Sequence, residues 1–158
     1  MMDAFYIKLE STIGSIPKDD MELIMGDFNA RAGAQQHQTA HAIIGPSTTD
    51  TINENGRRLL DYCSVNDLII CDTFFQHKLA HTVSLMHPGN KRWHILDYTL
   101  VNRTFRSSVE DVRTRRTAVG AIGTVHRLVQ TKLKFYLRSV RKTMQNKILE
   151  VDKKTLKN

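Results

Sequence analysis

The chain has no apolar run of about eighteen residues, the length a membrane-spanning helix needs. Its N-terminal stretch, Met1 to Glu10, also lacks the basic segment followed by an apolar one that marks a secretory leader. Cysteine is scarce: only Cys63 and Cys71 occur, which excludes a disulfide framework, and their separation matches no zinc-ligand spacing. Both are expected to be small buried apolar side chains in a reducing compartment. Internal repeats are absent, and low complexity is confined to the polar stretch 34–50, rich in Gln, Thr, His and Ala and read as a long surface loop. These absences leave an intracellular protein without a membrane partner, nuclear or cytoplasmic, although no compact basic localisation cluster is present.

What is there suits one folded domain: 158 residues, 41% of them apolar, which is enough to bury a core. The net charge of +7 is unevenly placed. Residues 1–130 carry 14 Lys/Arg against 14 Asp/Glu, whereas residues 131–158 carry nine Lys/Arg against Glu150 and Asp152. A basic tail on a neutral body is an electrostatic handle for phosphate polyanions, with salt-sensitive binding. It is equally the composition of a solvated helix.

Periodicity gives the elements. Tyr6, Leu9, Ile13 and Ile16 recur at helical spacing up to Pro17, which cannot continue a helix. Glu22 to Asp27 reads as a buried strand that delivers a carboxylate at its C-terminal end. Asn53 is placed to cap a helix that buries Leu59, Leu60 and Cys63 and leads into the strand Asp67 to Cys71, giving β-α-β punctuation with strands buried on both faces. Thr82 to Met86, Ile95 to Val101, Val109 to Arg115 and Arg127 to Phe135 are strand-like, with gaps too short for crossover helices, so antiparallel pairing is expected. In the last of these, Val129, Thr131, Leu133 and Phe135 should face the core. From Leu137 the period changes, and Leu137, Val140, Met144, Ile148 and Val151 mark an amphipathic helix with a basic outer face, so the domain is read as 1–135 with a helical tail at 136–158.

The strongest chemical signal is Gly26-Asp27-Phe28-Asn29-Ala30-Arg31 at a strand end. With Phe28 between them, Asp27 and Asn29 point to the same side of an extended segment. One can orient or deprotonate a water and the other can donate to a phosphate oxygen; the same string can also be a simple Asx turn. His37 and His41 have the i, i+4 spacing of a helical metal pair but lack nearby Cys or acidic ligands. His77, His81 and His87 flank a hairpin and read as surface residues. Arg113, Arg115 and Arg116 could line a nucleic-acid groove or simply an exposed strand face.

Gly26 to Arg31 resembles the Gly-Asp-Phe-Asn motif of the endonuclease/exonuclease/phosphatase superfamily. Asn53-Glu54-Asn55-Gly56-Arg57-Arg58-Leu59-Leu60 is similar to a segment of its non-LTR (LINE-type) retrotransposon branch and of the craniofacial development protein 2-like proteins. Met86-His87-Pro88, Trp93 to Tyr98 and His126-Arg127-Leu128-Val129 follow in the same order, so the resemblance covers roughly residues 5–135. It implies an α/β (α+β) fold, a four-layer αββα sandwich of mostly antiparallel mixed sheets with the basic C-terminal helix appended, and phosphodiester hydrolysis with Mg²⁺ or Mn²⁺ and no small-molecule cofactor. By resemblance, Asp27 positions the attacking water, Asn29 holds the phosphate, Asp97 orients the histidine, and His126 stabilises or protonates at the scissile phosphate. DNA would be the partner, with Arg31, Arg113, Arg115, Arg116 and Arg127 as nucleic-acid contacts.

The departures carry as much weight. Val125 stands where the pattern has an Asp just before the His, and valine neither ligates a cation nor accepts a proton. Leu85 and Gly123 replace aromatic positions. Met1 falls where the resembled domain is already about half complete, so only its C-terminal half, without the upstream metal-binding Glu and an Asn, is expected here, with open sheet edges through which the chain could associate. The expected protein is a truncated endonuclease-like domain of DNA-nicking ancestry, catalytically inactive. Three alternatives stay open: a non-catalytic nucleic-acid-binding module, a residual Mg²⁺-dependent nuclease completed by a partner chain, and a remnant without selected function.

Overall fold

The computed structural model describes residues 2–89, 91–115 and 126–135. The tail helix expected over 136–158, Arg116 and Val125 lie outside the described residues.

Helix α1 spans Met2–Ile13, with Tyr6 and Ile13 turned inward. It stops at Gly14, whose N–H closes the last turn on Glu10 O at 2.8 Å, so the helix ends one turn before Pro17 and Ile16 lies beyond it. Strand β1 (Leu23–Asp27) follows, then a short helix α2 (His37–Ala40), helix α3 (Glu54–Val65) and strand β2 (Leu68–Ile70). Later come β3 (Leu85–Met86), β4 (Trp93–His94), β5 (Asp97–Asn102), β6 (Val109–Arg115) and β7 (Leu128–Leu133). Three antiparallel groupings result: a sheet in the order β1-β5-β2, the β3-β4 hairpin, and the β6-β7 hairpin.

Strand parity assigns the layers. Ile24, Tyr98, Leu100, Leu68 and Ile70 lie on one face of the central sheet and pack with Tyr6, Ile13, Leu59, Leu60 and Cys63 from α1 and α3. Ile69 and Val101, one residue out of phase, lie on the other face and pack with Val109 and Val112 of β6. The Thr99 and Thr131 hydroxyls meet at 2.8 Å between β5 and β7. The order among the described residues is therefore helices, sheet, second sheet: an α+β fold, of the class the resemblance implies, with three of the four expected layers. Cys63 and Cys71 are free and buried, and burial pushes both thiols up to about 12, so they are unreactive packing groups.

Several sequence expectations are corrected. β1 is not buried on both faces: β5 is its sole strand partner among the described residues, and Leu23 and Met25 are 38% and 47% exposed. β2, flanked by helices on one side and β6 on the other, is fully buried. α3 does connect β1 to β2, but β5 inserts between them and runs antiparallel to both. Phe135, expected in the core, is 61% exposed, because β7 ends at Leu133 and the alternation of its inward residues ends with it. The polar stretch 34–50 is not a plain loop: it holds α2, and Ile43 and Ile44 are buried, with Ile43 O accepting from Ile70 N at 2.9 Å. Of Thr82 to Met86 only Leu85–Met86 is strand, since Val83 N and Thr82 N both bond back to Leu79 O.

Candidate functional site

Asp27 is the last residue of β1 and Asp97 the first of β5, and the two are directly opposed in the register. Directly opposed residues share a face, so both carboxylates project to the side that carries Leu23, Met25, Thr99 and Val101, the side facing the second sheet. His126 enters from that second sheet, one residue before Arg127 and two before β7, and forms an isolated bridge with Leu85. Its Nδ1 lies 3.2 Å from Asp97 Oδ2, and its Nε2 lies 3.8 Å from Asp27 Oδ2. Three separate segments thus deliver two carboxylates and an imidazole to the rim of the sandwich, with all three ligand atoms within 4.8 Å of one another. Among the described residues no other group of this kind occurs, so His37 and His41 do not form a metal pair with a third ligand. His37 Nδ1 is instead 2.9 Å from Ile44 O.

Local hydrogen bonds fix each member. Asp27 Oδ1 accepts from Asn29 N at 2.8 Å, an Asx turn, which leaves Oδ2 for the imidazole. Asn29 adopts a left-handed backbone, φ 48°, a conformation that Asn tolerates through such local bonding. Its side chain makes no hydrogen bond among the described residues and is exposed at the rim. Asp97 is set by Ser84, whose buried Oγ accepts from both Leu96 N (3.0 Å) and Asp97 N (3.2 Å). Behind it, Asp72 Oδ2 accepts from Thr99 N at 2.6 Å, and burial pushes the Asp72 carboxyl up to about 7, with the Asp97 charge adding to the effect.

Asn53 holds the loop that carries Asn29. Its Oδ1 accepts from Gly56 N as the α3 N-cap and from Arg31 N, both at 2.8 Å, while Nδ2 donates to Asn29 O at 3.2 Å. Asn53→Ala is therefore expected to cost about 1–2 kcal/mol for the cap, and more through the stranded Arg31 N–H. Asn53→Asp, which keeps the acceptor and loses the donor, should recover most of that in a urea melt.

The nucleic-acid candidates are dispersed. Arg113 Nε donates to Asp111 at 2.5 Å, and Asp111 also takes His77 Nε2 at 2.7 Å. Arg115 Nε donates to Gln130 Oε1 at 2.6 Å. The Arg127 guanidinium stacks on Trp93 at 3.6 Å and donates to Ala80 O. Arg31 is half-buried in the Asn53-clamped loop. His77 and His81 are not simple surface residues, since His81 Nδ1 meets Thr114 O at 3.3 Å; His87 is exposed. Sequence reading missed Asp50, Asn53 as a loop clamp, Asp72, Ser84 and His94. Only the helix-cap signature of Asn53 was available in the sequence, because the other partners join residues that are far apart along the chain.

Two carboxylates facing the two nitrogens of one imidazole can receive both N–H groups of a protonated ring, or orient a neutral one by a single bond. The same oxygens could hold a divalent cation, with open positions for water or a phosphate oxygen. No helix in the described residues is long and apolar enough to cross a membrane.

No protein-family model matches the chain. It is 33% identical over 139 residues to craniofacial development protein 2 of Tragulus javanicus and 32% identical over the same length to that of Bos taurus. Each match covers 88% of this chain and 23% of the relative. The chain is thus similar to craniofacial development protein 2 and spans about a quarter of the length of the curated relatives it matches.

Proposed function

We propose that the chain is the C-terminal half of an endonuclease/exonuclease/phosphatase-type domain of LINE-like, DNA-nicking ancestry. In this reading it keeps a phosphate-engaging face and does not hydrolyse phosphodiesters by itself. The observation that carries the proposal is the convergence of Asp27, Asp97 and His126 from β1, β5 and the approach to β7. Packing alone does not call for two carboxylates around one imidazole. Homology to craniofacial development protein 2 supports the same superfamily. An intracellular setting, nuclear or cytoplasmic, goes with it.

In this site Asp97 orients the His126 ring through Nδ1, so that Nε2 is the atom presented to a phosphate or leaving group. Asp27 Oδ2 lies on the same side, placed to orient a water, and the unbonded Asn29 side chain is available to a non-bridging oxygen. A Mg²⁺ or Mn²⁺ ion fits the carboxylate oxygens of Asp27 and Asp97, and when bound it would supply neutralisation of phosphate charge. Loss of catalysis follows from Val125, which puts an apolar side chain beside His126 in the sequence where a carboxylate is needed. Binding of DNA would draw on Arg31, in the loop that carries Asn29, and on the basic tail, weakly and with strong salt dependence.

A second reading, a residual nuclease completed by another chain, is favoured by one feature. Leu23 and Met25 leave an apolar strip open along the β1 edge, which could take further strands.

The test is nicking of supercoiled plasmid with Mg²⁺ or Mn²⁺, beside His126→Ala and an EDTA control. The expected result is no nicking by folded protein. Nicking that needs both the metal and His126 would overturn the inactive reading.

A further inference from the structure

A second Asp–His pair stands on the same face as the first. Asp50 Oδ1 lies 3.0 Å from His94 Nδ1, and Asp50 Oδ2 accepts from Ile95 N at 3.1 Å, so one carboxylate grips both the ring and the strand that carries it. The two side chains are only 14% and 13% exposed. With Nδ1 committed, Nε2 is the ring's outward atom; it makes no hydrogen bond among the described residues, and it is not among the enclosed unpartnered atoms.

The register brings this pair to the site already described. Leu85 pairs with His94 on one side and bridges His126 on the other, both antiparallel. Directly opposed residues point to the same face, so His94, Leu85 and His126 share one. Two strand spacings separate the histidine Cα atoms by about 9–11 Å. An independent contact agrees: Trp93 and Arg127, each one residue out of phase, stack on each other on the opposite face.

We propose that His94, oriented by Asp50, is a second phosphate-binding residue. It would contact a phosphate of the same polynucleotide strand one or two nucleotides from the phosphate that His126 engages. This rests on the nucleic-acid reading given above. A separation of two strand spacings suits neighbouring phosphates of one strand, and each ring presents Nε2 with its Nδ1 held by a carboxylate. His126 Nε2 faces Asp27, whereas His94 Nε2 has no carboxylate partner among the described residues, which leaves it the better donor to an anion. Asp50 is the positioning residue.

The experiment is fluorescence anisotropy of labelled single-stranded and duplex DNA with the full chain. The parent is compared with His94→Gln, His94→Lys, Asp50→Asn and His126→Gln over a salt series, with a thermal melt of each. Expected are about 3- to 10-fold weaker binding by His94→Gln, a salt slope shallower by about one, and affinity kept by His94→Lys. Asp50→Asn should weaken binding less than His94→Gln. Two results overturn the inference alone: His94 variants that bind as the parent does while His126→Gln weakens, or Gln and Lys variants that weaken alike and melt lower, the mark of a merely structural tie. A parent that binds no DNA overturns the nucleic-acid reading together with this inference.

Discussion

Gly56→Ala is expected to remove a large part of the folding stability, about 3 kcal/mol or more, read as a shift of the urea midpoint. A Cβ at Gly56 would sit 1.9 Å from Arg31 O and 3.1 Å from Ile52 Cγ1. The Arg31 carbonyl cannot simply retreat, because it accepts from Asn53 N at 3.3 Å, while Arg31 N is held by the Asn53 side chain. The strain falls on the segment that carries Asp27 and Asn29, so any ligand binding at the rim should weaken along with the fold. Gly26→Ala is the control: a Cβ there meets nothing within 4 Å, and its stability should stay within about 0.5 kcal/mol of the parent. Equal melts for the two variants would show that α3 does not pack against the loop as closely as described.

Asp72→Asn should stabilise the protein at alkaline pH and leave it nearly unchanged in acid. Burial raises the Asp72 carboxyl from 3.8 to about 7, so the folded state keeps a proton that the unfolded chain has already released. Between about pH 4 and pH 7 the unfolded state therefore binds fewer protons, and stability falls as pH rises through that window, then levels off. Asparagine is neutral throughout, and its Oδ1 can still accept from Thr99 N. The gain over the parent is expected to be about 1–3 kcal/mol at pH 8 and close to zero at pH 4. A constant difference across pH would mean that Asp72 stays ionised in the folded protein.

Much of this architecture could be read from the chain itself. The polar cap at Asn53, the helix burying Leu59, Leu60 and Cys63, and the strand-like runs around Asp97 to Asn102 and Val109 to Arg115 are local patterns, set by periodicity and end chemistry within a few residues. Asp27, Asp97 and His126 were legible only as ordered motifs, since nothing in their local sequence says that β1 and β5 pair Asp27 with Asp97. Exposure of β1 was not legible either: Leu23, Ile24 and Met25 look like a buried strand, and whether they are covered depends on which strands stand beside and above them.

The sequence by itself determined the main helices and strands, the burial of both cysteines, and which residues carry the side-chain chemistry proposed for phosphate binding. Those properties depend on neighbours a few positions away along the chain. The tertiary structure alone decided the layer order, the open edge at β1, the enclosure that raises the Asp72 carboxyl, and the placing of the Asp50–His94 pair on the face of Asp97–His126. Each of these depends on strand register and on contacts between distant segments, where a slip of one residue would turn every side chain to the opposite face.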